Sequence, residues 1–171
     1  MAILNPDHLI EQAERLIASP QSGPTRQVDL RRSISSAYYA VFHAAVAGAA
    51  DQFVGVMHRA SNEYALVSRS VNHATLNMVC EEINKPNPSP KYVPFVPSGG
   101  FGPDMSLFAD IFPQLQQRRH KADYDPLARF RSSDAHSAVD VARTAIQALN
   151  AAHASERKLF FFLLFFPPKR L

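Results

Sequence analysis

The side chains through which this sequence could do chemistry are seven histidines, one cysteine and a short run of bases. The densest group is Arg118-Arg119-His120-Lys121, followed by Ala122-Asp123-Tyr124, with Arg129 and Arg131 just beyond. On a helix, Arg119, Asp123 and Tyr124 stand four and five residues apart and share one broad face, while Arg118 and Lys121 splay to either side. Taken alone, the cluster reads as a solvated basic face with an internal Arg119–Asp123 pair worth about 0.2–0.5 kcal/mol. Cys80 falls inside a helical pattern on the flank of an apolar stripe, with no glycine-tight turn around it, and reads as a buried structural thiol. No G-x-S-x-G or other nucleophile motif occurs. Gly99-Gly100-Phe101-Gly102 has neither the spacing nor the lysine of a phosphate loop.

A bundle metal centre would need Glu-x-x-His pairs on facing helices, and no glutamate here is followed three residues later by a histidine. His43, His58, His73, His120, His136 and His153 are scattered, and Glu81-Glu82 stands without a partner in sequence. Three of these histidines meeting in space is the one arrangement that would bring in a metal. The expectation is no metal and no cofactor.

Helical spacing dominates the elements that must position these residues. Asn5-Pro6 starts a first helix, in which Leu9, Ile10, Ala13, Leu16 and Ile17 recur at three and four and Ser19-Pro20 makes the stop. Pro20 to Pro24 form a turn, and Thr25 is placed to cap a second helix from about Arg26 to Asp51. Ile34, Tyr38, Val41 and Ala45 make one stripe on it, and Ala37, Ala40, Ala44, Ala47, Ala49 and Ala50 leave nearly the whole circumference small or apolar. Such a helix belongs at the centre of a bundle, with a narrow polar strip of Arg32, Ser36 and His43.

A third helix is predicted from Ser61 or Asn62 through Tyr64, Val67, Val71, Thr75, Met78 and Ile83. From Lys85 to Asp104 the pattern breaks, with six of the 13 prolines and three of the six glycines, a density no helix survives. Tyr92, Phe95, Val96 and Phe101 imply that this loop lies against the body of the protein. A fourth helix is predicted from near Asp110, with Pro113 in its first turn, to near Asp125-Pro126. Ser133 or Asp134 caps a fifth, with Ala135, Val139, Ala142, Ile146 and Leu149 inward, running as far as Phe166, where Pro167 stops it. The fold expected is all-α, a four- to five-helix up-and-down bundle with a long proline-rich loop before the fourth helix.

At 171 residues the chain is read as one domain, 1–171, with enough length for a real core. Hydrophobic residues at 46% against charged residues at 19% exclude a disordered chain, and a single cysteine excludes a disulfide framework. A formal charge of +3 permits only a weak preference for anionic partners. Met1 to Ile10 lack the basic stretch and apolar run of a signal peptide. The apolar run Leu159–Phe166, within an extension over 159–171, spans only about 12 Å as a helix, against the roughly 20 residues of a bilayer crossing. Core burial or a dimer contact is the expected role of that run. A cytoplasmic protein with no membrane span follows.

Two segments carry a resemblance. Arg31-Arg32-Ser33-Ile34-Ser35-Ser36-Ala37-Tyr38-Tyr39-Ala40-Val41-Phe42-His43-Ala44-Ala45 resembles the signature second helix of HEPN domains (higher eukaryotes and prokaryotes nucleotide-binding). Arg118 to Tyr124, leading into a helix with Asp134-Ala135 and Ala142, is similar to the end of the same domain. Together they cover about residues 5 to 52 and 110 to 152. The resemblance implies an all-α homodimer, often encoded beside a small nucleotidyltransferase as a toxin–antitoxin pair. Many such proteins are metal-independent ribonucleases, whose motif is an arginine followed four to six residues later by a histidine, brought together in a cleft between two protomers. Histidine can move the proton of an RNA 2′-hydroxyl, and arginine can hold the charge developing on phosphorus.

This sequence departs from that motif. His120 fits as the polar residue after Arg119, but Tyr124 stands where the catalytic histidine belongs. A tyrosine, with an ordinary pKa of about 10, is a poor base at neutral pH. His73 lies four residues after Arg69 but outside the family position, and is set aside as coincidence. The implied site is an RNA- or nucleotide-binding cleft of Arg118, Arg119, His120, Lys121 and Tyr124, with Arg119 and Tyr124 carrying whatever weak cleavage remains. Arg119 would bind phosphate and Tyr124 stack a base. Tyr124 would also be a target for nucleotidylation by a partner. The alternatives are an active metal-independent ribonuclease toxin and a non-enzymatic interaction module.

Overall fold

In the computed structural model, residues 4–18 and 23–169 are described. They form seven α-helices: α1 (Pro6–Ile17), α2 (Gln27–Phe53), α3 (Asn62–Ser70), α4 (His73–Ile83), α5 (Pro103–Tyr124), α6 (Ser132–Ala151) and α7 (Ala154–Phe165). Single 3₁₀ turns lie at Val56–His58 and Val93–Phe95, and there is no strand among the described residues. The all-α expectation holds, but the helices outnumber the four or five predicted. The predicted stop at Ser19-Pro20, most of the 20–24 turn, the first three residues of Met1–Ile10 and the last two of the 159–171 extension lie outside the described residues.

Both extra helices come from a restart that periodicity cannot show. The predicted third helix breaks where Val71 turns extended, at ψ 122°. There the Asn72 side chain accepts a hydrogen bond from the Thr75 backbone N–H at 2.8 Å, capping a new helix in a new direction. The predicted fifth helix ends at Ala151, and Ala152 and His153 leave the helical conformation, at ψ 142° and 137°. The apolar run then returns as α7, with Phe160, Phe161, Leu163 and Leu164 buried in the common core while Phe162 and Phe166 stay exposed. Among the described residues no helix is long and apolar enough to cross a membrane.

Helix α2 sits at the centre, packed against α1, α3, α5, α6 and α7. Its alanines make this possible: Ala37, Ala40, Ala45 and Ala49 have no exposed surface, so neighbouring backbones approach closely. Gly48 marks the tightest point, where a Cβ would lie 2.8 Å from the Phe161 ring of α7. Thr25 does not cap α2. Its hydroxyl donates to the Ile17 carbonyl at 3.1 Å and ties the end of α1 to the start of α2, while Arg26 occupies the cap position.

The proline-rich segment ends two residues earlier than predicted, because α5 begins at Pro103 and not near Asp110. Pro103 takes the first helical position, where its missing N–H costs nothing. Gly102 has no side chain with which to cap, and Glu156 of α7 supplies the anion instead, accepting from the Gly102 N–H at 2.9 Å. Pro113 therefore lies inside the helix and not in its first turn. The loop lies on the body through Tyr92 and Phe101, which are buried, but not through Phe95, which is exposed. Buried Glu82 anchors its start, accepting from Lys85 Nζ at 2.6 Å and from the Ser89 backbone N–H and hydroxyl at 3.1 and 2.9 Å.

Candidate functional site

The basic cluster occupies the C-terminal end of α5, and α2 holds that end in place. Arg31 of α2 donates from Nη1 to the Ala122 carbonyl at 2.7 Å and from Nη2 to the Asp125 and Ala128 carbonyls at 2.9 and 2.6 Å. One guanidinium thus satisfies three carbonyls at and beyond a helix terminus, where the macrodipole favours a cation. Four residues further along α2, the Ser35 hydroxyl donates to Asp123 Oδ1. The register of α5 against α2 is set by these two contacts.

Arg119 is the residue they present. Its Nη2 donates to the Tyr39 hydroxyl at 2.7 Å and more weakly to the Tyr124 hydroxyl at 3.4 Å. Its Nε lies 2.8 Å from Asp123 Oδ2, an ion pair without an aligned hydrogen bond, which confirms the pair expected from four-residue spacing. The guanidinium carbon sits 5.9, 5.3 and 5.2 Å from the ring centres of Tyr38, Tyr39 and Tyr124. Burial alone would lower its pKa, but Tyr39, Asp123 and Tyr124 outweigh burial and raise it, so the charge is permanent. Nη1 has no protein partner among the described residues. Its side chain is 15% exposed.

Of the other sequence-predicted residues, Tyr124 stays against Arg119 and Arg118 leaves it. Tyr124 is 67% exposed and meets the His120 ring edge-on at 5.7 Å. His120 and Lys121 are exposed beside it. Arg118 turns away, its Nη1 donating to Ser137 Oγ of α6 at 3.3 Å, so it flanks the cluster without entering it.

His73, set aside on sequence, belongs to the cluster. The break at Val71-Asn72 starts α4 so that the His73 ring stacks on Phe42 at 3.8 Å. Its Nδ1 lies 2.6 Å from the Tyr38 hydroxyl. Tyr38 and Tyr39 stand between His73 and Arg119, each ring within 6 Å of both. Burial, with Arg119, His43 and His120 adding to it, lowers the His73 pKa. Burial raises the Tyr38 phenol well above its ordinary value, so it keeps its proton. The imidazole is thus biased to its neutral form, with Nδ1 engaged by the Tyr38 hydroxyl. No local signal could have found this contact, since it joins different helices.

The polar strip of α2 proves to line a trough of about 530 Å³ against α1, formed by Arg32, Ser36, Tyr39 and His43 facing Leu9, Gln12 and Leu16. Tyr39 belongs both to this trough and to the Arg119 cluster. Burial lowers the His43 pKa. Cys80 is fully buried and its thiol pKa is pushed well up by burial, so it is no nucleophile. Among the described residues no three histidine, cysteine, aspartate or glutamate side chains converge on a point where a metal could sit. The chain matches no family model, no curated protein and no solved structure.

Proposed function

We propose that this chain is an RNA- or nucleotide-binding protein of the HEPN type, a homodimer whose cleft is built around Arg119 and Tyr124 and has weak or no ribonuclease activity. The observation that carries this reading is the state of Arg119: charged, fixed at two nitrogens, and with Nη1 unclaimed among the described residues. A fixed guanidinium binds a phosphate oxygen with little further loss of side-chain freedom. Tyr124 offers an exposed ring on which a base can stack, and Arg118, His120 and Lys121 supply sequence-independent attraction to the backbone. Weak cleavage follows from the residue five places after Arg119 being tyrosine and from Asp123 being engaged by Arg119 and Ser35.

One observation favours the second reading, an active metal-independent ribonuclease paired with a nucleotidyltransferase-type partner. His73, neutral and oriented by Tyr38, brings to the Arg119 cluster the proton-transfer group that Tyr124 replaces in sequence. The exposed Tyr124 hydroxyl would then be the point at which the partner silences it.

A labelled pool of cellular RNA, incubated with the protein in EDTA and read on gels for both mobility shift and cleavage, tests these readings. The expected result is a shift without cleavage that Arg119→Ala abolishes. Cleavage lost in both Arg119→Ala and His73→Gln establishes the ribonuclease instead. If Arg119→Ala lowers the melting temperature and leaves the shift intact, Arg119 only staples α5 to α2 and the cleft reading fails. No shift with wild-type protein overturns it as well.

A further inference from the structure

Between α2 and α3 lies a second cavity of about 310 Å³. That is the lower end of the range in which proteins hold small molecules, about 300–1,000 Å³. Its apolar walls include Phe42, Val46 and Ala47 of α2 and Ala65 of α3. Two arginines, Arg59 and Arg69, stand at its rim. They are not equivalent. Arg59 is clamped by Asp51, with Nε to Oδ1 at 2.9 Å and Nη2 to Oδ2 at 2.6 Å, so the edge with which it could grip a second carboxylate bidentately is taken. Arg69 is exposed and makes no hydrogen bond or ion pair among the described residues. His43, at the wall, is held neutral by burial and adds no second charge.

We propose that this cavity binds a small monocarboxylate with an apolar tail, the tail against Phe42, Val46 and Ala65 and the carboxylate on Arg69. One unanswered guanidinium beside an apolar wall calls for one anionic head on an apolar body. The planar fork of arginine fits a carboxylate bidentately. A dianion would leave one charge unmatched, and a cation would meet Arg69 unpaired. The site adjoins the Arg119 cluster, since Phe42 lines the cavity and stacks on His73, but Arg69, on which the proposal turns, has no part in that cluster.

Isothermal titration of the full chain with sodium octanoate, and separately with octanol, octylamine and acetate, tests the proposal. Octanoate binds at one site per chain, octanol at least about tenfold more weakly, and acetate and octylamine not measurably. Arg69→Gln weakens octanoate by about tenfold and leaves octanol unchanged. Ala65→Phe, which fills the cavity, abolishes octanoate binding. A melting curve confirms that this variant folds, and if it does not, Ala47→Leu takes its place. Equal binding of octanoate and octanol, an unchanged octanoate affinity in Arg69→Gln or in the folded filling variant, or no binding of octanoate overturns the site. RNA mobility shift in Arg69→Gln stays at the wild-type level.

Discussion

Replacing Arg31 by alanine removes the contact on which the position of Arg119 and Tyr124 depends. Three carbonyls, those of Ala122, Asp125 and Ala128, lose their donor at once, and Phe130 loses the guanidinium 5.6 Å from its ring centre. Each hydrogen bond contributes about 1 kcal/mol net. The contacts are partly buried, so water restores some of this, and the expected loss is about 2–3 kcal/mol. For a chain of this length that lowers Tm by about 4–12 °C. Arg31→Lys keeps the cation near the helix terminus but reaches fewer carbonyls, and recovers about half of the loss. Thermal unfolding followed by far-ultraviolet circular dichroism, wild type against both variants, is the assay. A shift under about 1 °C for Arg31→Ala would refute the claim that this arginine holds the end of α5.

Two further outcomes concern titration. Burial alone would raise the Glu82 carboxyl pKa, but Lys85 and Ser89 outweigh it and hold the carboxyl below its ordinary 4.5. A depressed carboxylate stabilises the fold above the unfolded value and loses that contribution as pH falls through the folded one. Glu82→Gln therefore lowers stability at neutral pH and flattens its decline between about pH 5 and 3 in urea titrations; parallel curves for the two proteins would refute the role of Glu82. His73 titrates below its ordinary 6.5, so the unfolded chain takes up its proton first and this group costs stability as pH drops below 6.5. Proton NMR of the ring follows it directly. The midpoint lies under 6.5, rises in Arg119→Gln without reaching 6.5 because burial remains the larger cause, and a wild-type midpoint at or above 6.5 contradicts the placement.

How far the sequence could be read depended on the range of the interaction involved. The α2 boundaries, predicted at about Arg26 to Asp51 and found at Gln27–Phe53, follow from an apolar circumference that one helix carries by itself. The Arg119–Asp123 pair follows from four-residue spacing and stands at 2.8 Å. The start of α5 was missed by seven residues because its cap is Glu156, 54 positions away in the chain. The restart at Asn72 was missed because a β-branched and apolar pattern continues straight across it, and only the side-chain cap marks the break. Within the candidate site, Arg119, Asp123 and Tyr124 were legible as one helix face, whereas His73 was not.

By itself, then, the sequence determined an all-α chain, a small-residue central helix, and the order of charges along the last turns of α5. These are consequences of a 3.6-residue turn, and every partner lies within five residues. The tertiary structure alone decided which of those charges is committed and which is left open. Tyr39 and Tyr38 reach Arg119 across about 80 residues of chain, Arg31 reaches Ala122 across 91, and His73 reaches Tyr38 across 35. Such distances are set by how alanine-faced helices pack around α2 and by where two caps redirect the chain, and no local period encodes them.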